Sequence, residues 1–453
     1  MKNRILVVDD ETDFLDSVRR GLITSGFKGI QTESDPQQAL AEVENGTPYE
    51  VALIDITMPG IDGVQLLEAI KNRQPQIECI MVTALDEART AVNCLKKGAY
   101  DYLVKPVSKE DLISSIQRAL ERKRLLDILN IGKIKSIPEL KNATAFAPIT
   151  TNNEQMTRIL RIAELHAASN APVLITGETG TGKELLSQAI HAASDRGHRQ
   201  FTAINMDAIT ESLFDAEFFG HTKGAYTGAE KDRTGYLEST HQGTLFLDEI
   251  GNLAPTLQGK LLRVLQSGEF IKIGTNTSRK VDLRIIAATN KELEKMMATG
   301  RFRKDLYYRL SGSWLHLPPL RERMDDVPLL TGCFLKEFNG PDGAEVEDAV
   351  MEALMAYDYP GNIRELKSIV RSALSLAQGK PININCLPGH VRQRAKKYVQ
   401  QAQNQPVPTL AELEKDHILK IYDMQDNNKA ESARVLGIGI NTLRRKLKAY
   451  GVK

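Results

Sequence analysis

Short apolar runs alternate with helical repeats along the first part of the chain. The runs RILVV, VALID, CIMVT and YLV are each short enough for one strand. Around them, ETDFLDSVRRGLITSG, GVQLLEAIKNR and DLISSIQRAL carry apolar residues at the three- and four-residue spacing of amphipathic helices. Such alternation predicts a parallel sheet with crossover helices. A second block starts the same way: PVLIT reads as a strand, a glycine-rich turn follows, and ELLSQAIHAA reads as a helix. GTLFLD and LRIIAAT are further buried strands, and the segment after them reads as all-helical. Near the end, TLAELEKDHILKIYDMQ puts Leu410, Leu413, His417, Ile418 and Ile421 on one helical face. A short helix, the turn LGIG and a last helix complete the chain. The prediction is a multidomain α/β protein with an all-α tail, and 453 residues suit about three domains.

Charge sharpens this division. The net charge is only +1, yet residues 1–121 hold 13 Lys and Arg against 20 Asp and Glu, and the last 20 residues hold 6 basic side chains and no acid. An acidic head suits a metal or regulatory site, and a basic tail suits a polyanion. Cys79, Cys94, Cys333 and Cys386 are far apart and form no CxxC, so neither a disulfide framework nor a zinc site is implied. The eight histidines show no HExxH spacing. No apolar run approaches the ~18 residues that span a bilayer. The opening MKNRILVVDD meets two aspartates after a brief apolar run, unlike a secretory signal. The expectation is a cytoplasmic protein with no membrane partner.

Polar residues fall where the first block's strands end. Asp9 and Asp10 follow the first strand, Asp55 closes VALID, Thr83 closes CIMVT, and Lys105 follows YLV. In parallel α/β sheets ligands gather beyond the carboxyl ends of the strands. Three crowded carboxylates repel one another and call for a hard divalent cation such as Mg²⁺. Asp55 is then a candidate nucleophile towards phosphate, with Thr83 and Lys105 ready to bind the new phosphoryl oxygens. One aspartate after one strand is most simply a helix cap; four strand ends together are poorly explained that way.

These residues, over about 120 positions, resemble the receiver domain of two-component response regulators. The resemblance implies a flavodoxin-like (CheY-like) fold, Asp55 as phospho-acceptor, and Mg²⁺ held by Asp9, Asp10, Asp55 and the backbone carbonyl of Thr57. It also implies a cis-proline after Lys105 and a switch in which Tyr102 swings as Thr83 engages the phosphoryl group. A cognate sensor histidine kinase is the expected phosphodonor. Residues 1–121 are assigned to this domain. In 122–143 the helical spacing continues into Leu125, Leu126 and Leu129, either as a solvated helix with one packed face or as a dimerising seam.

The glycine-rich turn of the second block is a phosphate cradle. Gly177, Gly180 and Gly182 let backbone N–H groups face phosphate oxygens, Glu178, Thr179 and Thr181 complete the loop, and Lys183 adds charge for the β- and γ-phosphates. The general pattern asks for Ser or Thr after the lysine; here Glu184 stands there. Companions support the nucleotide reading. GTLFLDEIG ends in Asp248, placed for Mg²⁺, and Glu249, placed to polarise a water. LRIIAATN ends in Asn290, able to sense a γ-phosphate, and Arg303 and Arg309 follow in GRFRKDLYYRL, able to reach a neighbouring subunit's nucleotide.

GETGTGKE, FFGHTKGAYTGA, GTLFLDEIG, FRKDLYYRL, PPLRER and PGNIRELK together resemble, over about 240 residues, the AAA+ domain of bacterial enhancer-binding proteins that activate sigma-54 RNA polymerase. In that family a glutamate after the P-loop lysine is usual. The resemblance implies ATP and Mg²⁺ as cofactors, Arg303 and Arg309 as fingers acting in trans, Arg364 as a second sensor, and Asn205 as the partner restraining Glu249. It further implies that the loop Gly224, Ala225, Tyr226, Thr227, Gly228 and Ala229 grips sigma-54. The family usually has phenylalanine where this chain has Tyr226, and the added hydroxyl wants a partner when buried. Residues 144–388 are assigned here, with a helical lid over about 319–388.

Residues 389–408, rich in Gln, Lys and Arg and closed by two prolines, read as a linker. Residues 409–453 end on a basic helix after a glycine-containing turn, which is a helix-turn-helix arrangement. Asn441, Thr442, Arg444 and Arg445 are the candidates for base contact, and Lys446 and Lys448 for phosphates. The segment resembles the Fis-like domain of sigma-54 activators, which implies dimers on paired enhancer half-sites. The chain as a whole thus reads as a phosphorylation-controlled activator that uses ATP to remodel the sigma-54 RNA polymerase holoenzyme for open-complex formation, as a dimer converting to a hexamer or heptamer ring. A silent DNA-binding relative would lack the loop or the second acid, and an AAA+ chaperone or protease subunit would need neither receiver nor basic tail.

Overall fold

The computed structural model describes residues 4–84, 88–131, 137–226, 230–340, 343–394, 410–425 and 427–452. Two compact units emerge, one of Met1–Gly343 with Asp358–Arg371, the other of Ala344–Tyr357 with Ser372–Lys453.

The first unit begins with strands β1 (Ile5–Val8), β2 (Ile30–Glu33), β3 (Val51–Asp55), β4 (Glu78–Thr83) and β5 (Asp101–Val104). They form a parallel sheet in the order β2-β1-β3-β4-β5. Helices α1 (Thr12–Thr24), α2 (Pro36–Glu44), α3 (Gly63–Arg73), α4 (Ala88–Lys96) and α5 (Lys109–Ile131) connect and cover it. One face buries Leu6, Ile54, Leu66 and Met81; the other buries Ile5, Leu53, Val82 and Ile116. Burial of β1, β3 and β4 on both faces explains why their sequences are unbroken apolar runs. The edge strand β2, IQTE, is only half-buried and carries no such run.

Helix α5 continues past residue 121 to Ile131, as its spacing predicts. Beyond that point Leu125, Leu126 and Leu129 are exposed, while Arg124 and Ile131 are buried. Arg124 meets α7 (Glu154–Ala167), which follows the single-turn α6 (Ala143–Phe146).

A second parallel sheet takes in β6 (Val173–Thr176), β7 (Phe201–Asn205), β10 (Thr244–Asp248), β13 (Arg284–Thr289) and β14 (Ser313–His316), in the order β14-β6-β13-β10-β7. Two small antiparallel pairs, β8 (Gly220–His221) with β9 (Arg233–Thr234) and β11 (Glu269–Ile271) with β12 (Ser278–Lys280), lie outside it. Helices α7 and α8 (Lys183–Ala192) share one apolar core with the sheet, built on Val173, Ile175, Phe246 and Ile286. The opposite core takes Leu245, Leu247 and Ala287 with α9 (Glu211–Phe219), α11 (Pro255–Ser267), α12 (Leu293–Ala298) and α13 (Lys304–Leu310), and the short α10 (Tyr236–Ser239) adds Leu237. Helix α14 (Asp326–Asn339) follows; α16 (Asn362–Ala377) starts in this unit with Asn362 to Arg371.

In the second unit α15 (Asp348–Met355) precedes α17 (Leu410–Met424), α18 (Lys429–Val435) and α19 (Ile440–Ala449). The last three enclose Ile418, Tyr422, Ala433, Leu443 and Leu447. This corrects the face expected for α17: Leu413 and His417 are exposed, and the packed side is Ile418, Leu419 and Tyr422. The apolar contacts of α17 with the two helices that follow come from its second half, and its first half meets α19 through the charged Glu414, so Leu413 stays exposed. Residues 395–408 of the expected linker lie outside the described residues.

Candidate functional site: an acidic pocket, a phosphate cradle and a basic helix

At the ends of β1 and β3, carboxylate oxygens of Asp9, Asp10 and Asp55 lie within 4.8 Å of one another. Lys105 reaches in from β5, its Nζ 2.8 Å from Asp9 Oδ2 and 3.3 Å from Asp55 Oδ2. The same ammonium lies 4.4 Å from the centre of the Phe14 ring. Burial lifts the Asp9 carboxyl above the usual carboxylate range, against the pull of Lys105 and of the Glu11 N–H. Burial also works against the Lys105 charge, but its bonds to Asp9 and Asp55 outweigh that and hold it above the ordinary lysine value. Thr83 is fully buried one residue beyond Val82, the register partner of Asp55, and its carbonyl accepts the Lys105 N–H at 2.7 Å. The Lys105–Pro106 peptide is cis. Tyr102 is half-buried, and the Thr57 N–H lies 3.5 Å from Asp55 Oδ1. Three close carboxylates offering only hard oxygen donors fit Mg²⁺.

The second site gathers where β6, β10 and β13 end. Lys183, in the first turn of α8, is buried and donates to the carbonyls of Gly177 at 2.9 Å and Glu178 at 3.2 Å. Its Nζ is 3.6 Å from Glu249 Oε1. Glu249 sits at φ +53°, a left-handed conformation unusual for this residue type and found at sites where the surroundings impose it. Its other carboxylate oxygen accepts the Asn290 N–H at 3.1 Å, and Asn290 Nδ2 donates to Thr179 Oγ1 at 2.9 Å. Asp248 accepts the Glu249 N–H at 3.0 Å, and burial raises its pKa. Glu184 is exposed in the first turn of α8.

Asn205 departs from expectation. It stands beside Asp248 in the sheet register, but its side-chain oxygen accepts the Asp207 N–H at 2.9 Å and caps the turn after β7. Glu249 is held by Asn290 instead. Arg303 is exposed and tied to Asp305 at 2.8 and 3.1 Å, and Arg309 donates twice to the Leu265 carbonyl. Arg364 is exposed near the start of α16, close enough to the loop that a Cβ on Gly180 would lie 3.1 Å from its Cβ. Sequence reasoning missed Arg321, Arg323 and Asn362, which all bond to the phosphate loop from more than a hundred residues away. PPLRER and PGNIREL contain them, but no spacing or periodicity there marks them as partners of the loop.

Of the expected loop, Gly224, Ala225 and Tyr226 are described, and they follow β8. Tyr226 is 46 % exposed, its ring edge-on to His221 at 5.0 Å and its hydroxyl 3.5 Å from His221 Nδ1. The base of the loop pairs with the segment after β11: the Thr222 N–H donates to the Ile273 carbonyl and the Ile273 N–H to that of Gly220, both at 3.0 Å. Thr227, Gly228 and Ala229 lie outside the described residues.

In the second unit α18, the turn and α19 form a helix-turn-helix. Asn441, Arg444, Arg445 and Lys448 are exposed and Thr442 is half-buried. Lys446 differs from its expected role at a phosphate, since its Nζ is 2.6 Å from Glu414 of α17 and bridges two helices.

Comparison with known proteins supplies the decisive observation. Family models match in four consecutive stretches: the response regulator receiver domain at residues 5–117, the sigma-54 interaction domain at 149–316, the AAA+ ATPase lid domain at 321–404 and the Fis family of bacterial regulatory proteins at 409–450. The regulatory protein AtoC of Escherichia coli K12 is 39 % identical over 463 residues, covering 99 % of this chain and 98 % of that protein. The chain belongs to the sigma-54-dependent response regulators. The DNA-binding transcriptional regulator NtrC of Salmonella typhimurium LT2 is 36 % identical, with 99 % of each chain covered. The crystal structure of NtrX from Brucella abortus in complex with ATP matches all of both chains at 31 % identity, with a TM-score of 0.50. This sigma-54-dependent response regulator is an ATPase that acts as a transcription regulator in a two-component system, and its central domain is a nucleotide-binding one. No described helix is long and apolar enough to cross a membrane.

Proposed function

We propose that Asp55 accepts a phosphoryl group from a cognate sensor histidine kinase and that the switch so thrown governs ATP-driven remodelling of sigma-54 polymerase in a ring of this chain. Asp9, Asp10 and Asp55, with the Thr57 carbonyl, would hold Mg²⁺, which neutralises phosphoryl oxygens. Lys105 balances the charge of the phosphorylated carboxylate, Thr83 bonds a phosphoryl oxygen, and Tyr102 follows Thr83 inward.

At the second site Gly177 to Lys183 bind the phosphates of ATP, and Asp248 would hold its Mg²⁺. Glu249 takes the proton side of the attacking water, while Asn290 reports the γ-phosphate to Glu249 through its own N–H. Arg303 and Arg309 exchange their present partners for the nucleotide of a neighbouring protomer, and Arg364 closes over it from the lid. Asn205 reaches Glu249 only in a rearranged state. Tyr226 and Thr227 carry the motion to sigma-54. Asn441, Thr442, Arg444 and Arg445 read enhancer DNA from a dimer, with Lys448 on the phosphate backbone. The working place is the cytoplasm.

What carries this reading is one convergence: Lys183, Glu249, Asn290 and Thr179 form a single chain of contacts in a protein that also has a receiver pocket and a glycine-bounded aromatic loop. Its test is transcription from a sigma-54 promoter in a purified system, with and without acetyl phosphate. Open complexes that need ATP and rise with phosphodonor support it; open complexes indifferent to both would refute it.

A further inference from the structure

Glu178, the residue after the first glycine of the phosphate loop, holds partners from far along the chain. Arg321 meets it with both terminal nitrogens, at 2.6 Å to Oε1 and 2.9 Å to Oε2. Asn362 Nδ2 donates to Glu178 Oε2 at 3.1 Å and also to the Thr179 carbonyl at 3.0 Å. Its Oδ1 accepts the Leu320 N–H at 2.7 Å. The Arg321 pairing, then the Asn362 amide, keep the Glu178 carboxyl below the usual range.

Asn362 is fully buried and adopts φ +52°, a left-handed conformation that asparagine tolerates better than most residues. The seam around it is tight. The Ile363 N–H donates to the Gly180 carbonyl at 3.0 Å, and a Cβ on Gly180 would lie 2.4 Å from the Gly361 oxygen. One amide therefore grips two consecutive loop residues, one by side chain and one by backbone, and ties both to Leu320. The Glu178 carbonyl between those two grips is also a partner of Lys183. Asn362 thus anchors the residues on both sides of the peptide joining Glu178 to Thr179, by the side chain of one and the carbonyl of the other.

We propose that Asn362 is a positioning residue for nucleotide binding, anchoring Glu178 and Thr179 so that the loop keeps the shape in which its N–H groups and Lys183 face phosphate. The proposal rests on the reading of Gly177–Lys183 as the ATP site. It assigns to Asn362 a role in affinity, acting through the loop and not on the reacting atoms.

The test uses the full chain, with ADP titrated by calorimetry and ATP hydrolysis followed at steady state. In Asn362→Asp the donor becomes an acceptor facing the Glu178 carboxylate, so ADP dissociation constant and KM should rise about tenfold. The turnover number kcat should stay within about twofold, the signature of lost binding common to ground and transition states. Asn362→Gly keeps the left-handed backbone without steric penalty and deletes only the amide. It should weaken ADP in the same direction, with a lowered melting temperature because the buried Leu320 N–H loses its acceptor, while the chain stays folded at the assay temperature. Adding Glu178→Gln to Asn362→Asp restores a donor–acceptor pair and should recover part of the affinity, a coupling a double-mutant cycle reads directly. Wild-type affinity in Asn362→Gly, a fall in kcat with KM unchanged, or strict additivity in the cycle overturns the proposal. A wild-type chain that binds no ADP overturns the ATP-site reading itself.

Discussion

Arg124, on the helix that leaves the receiver sheet, lies with its guanidinium 2.6 Å from Nδ1 of His166 on α7, both side chains buried. Arg284 holds the carbonyls of His166 and Ala167 at 2.8 Å from the other side. Burial above all, then the charges of Arg124 and Arg284, push the His166 pKa from 6.5 down to about 4. The neutral ring is the one that fits between two arginines.

This fixes a pH dependence. The unfolded chain takes up a proton at His166 near pH 6.5, and the folded chain only near pH 4. Stability therefore falls as pH drops through that window, by about 2 kcal/mol at pH 5 and on the order of 3 kcal/mol in full. Thermal melts of wild type and His166→Gln between pH 7 and pH 5 check this. The variant should show a flatter profile, and parallel profiles would remove His166 as the cause.

Gly274 should be intolerant of any side chain. Its φ is +82°, and a Cβ there would lie 2.4 Å from Thr222 Oγ1 and 2.8 Å from the Ala225 Cβ, at the base of the Tyr226 loop. Gly274→Ala is expected to cost about 1–2 kcal/mol. Since the clash falls on Thr222 and Ala225 and on none of the Lys183 partners Gly177, Glu178 and Glu249, ATP hydrolysis should persist while capture of sigma-54 in co-sedimentation falls. Unaltered capture would mean that this loop base does not set the loop's posture.

Arg303 now spends its guanidinium on Asp305 of its own chain. If it serves a neighbour's nucleotide, Arg303→Ala should lower ATP turnover by roughly 10³-fold. Mixing it with an equally inactive Glu249→Gln chain should bring activity back, because each supplies what the other lacks. A mixture as inactive as its parts would place the arginine's work within one protomer.

The basic helix should divide its labour unevenly. Arg445 is exposed, whereas Lys446 is paired with Glu414 at 2.6 Å. On an operator selected from random-sequence DNA, Arg445→Ala should weaken binding by about tenfold or more and relax base preference. Lys446→Ala should change affinity little and lower stability by less than about 1 kcal/mol, as expected of a partly exposed pair. Equal losses in filter binding would show that the Glu414 pairing gives way on DNA.

How legible this was in the sequence depended on whether each signal was local. Strands β3, β4, β10 and β13 announce themselves because burial on both faces demands unbroken apolar runs. The receiver acids were legible because a strand end fixes where the next side chain must go. Strand β2, with the sequence IQTE, lies at a sheet edge, so its composition is that of a surface. The Glu178–Asn362 contact spans 184 positions and involves no periodicity, so only the folded chain brings it together. The expected face of α17 failed for a related reason: spacing marks an apolar stripe but not how much of it finds a partner.

The most direct measurement separates hydrolysis from its mechanical output. In the full chain, Thr227→Ala leaves every residue from Gly177 to Lys183 and both Glu249 and Asn290 untouched. ATP turnover should therefore stay within about twofold of wild type, while open complexes at a sigma-54 promoter disappear. Open complexes formed by that variant at the wild-type rate would contradict the account, because energy would then be reaching the polymerase by a route that does not pass through the Tyr226 loop.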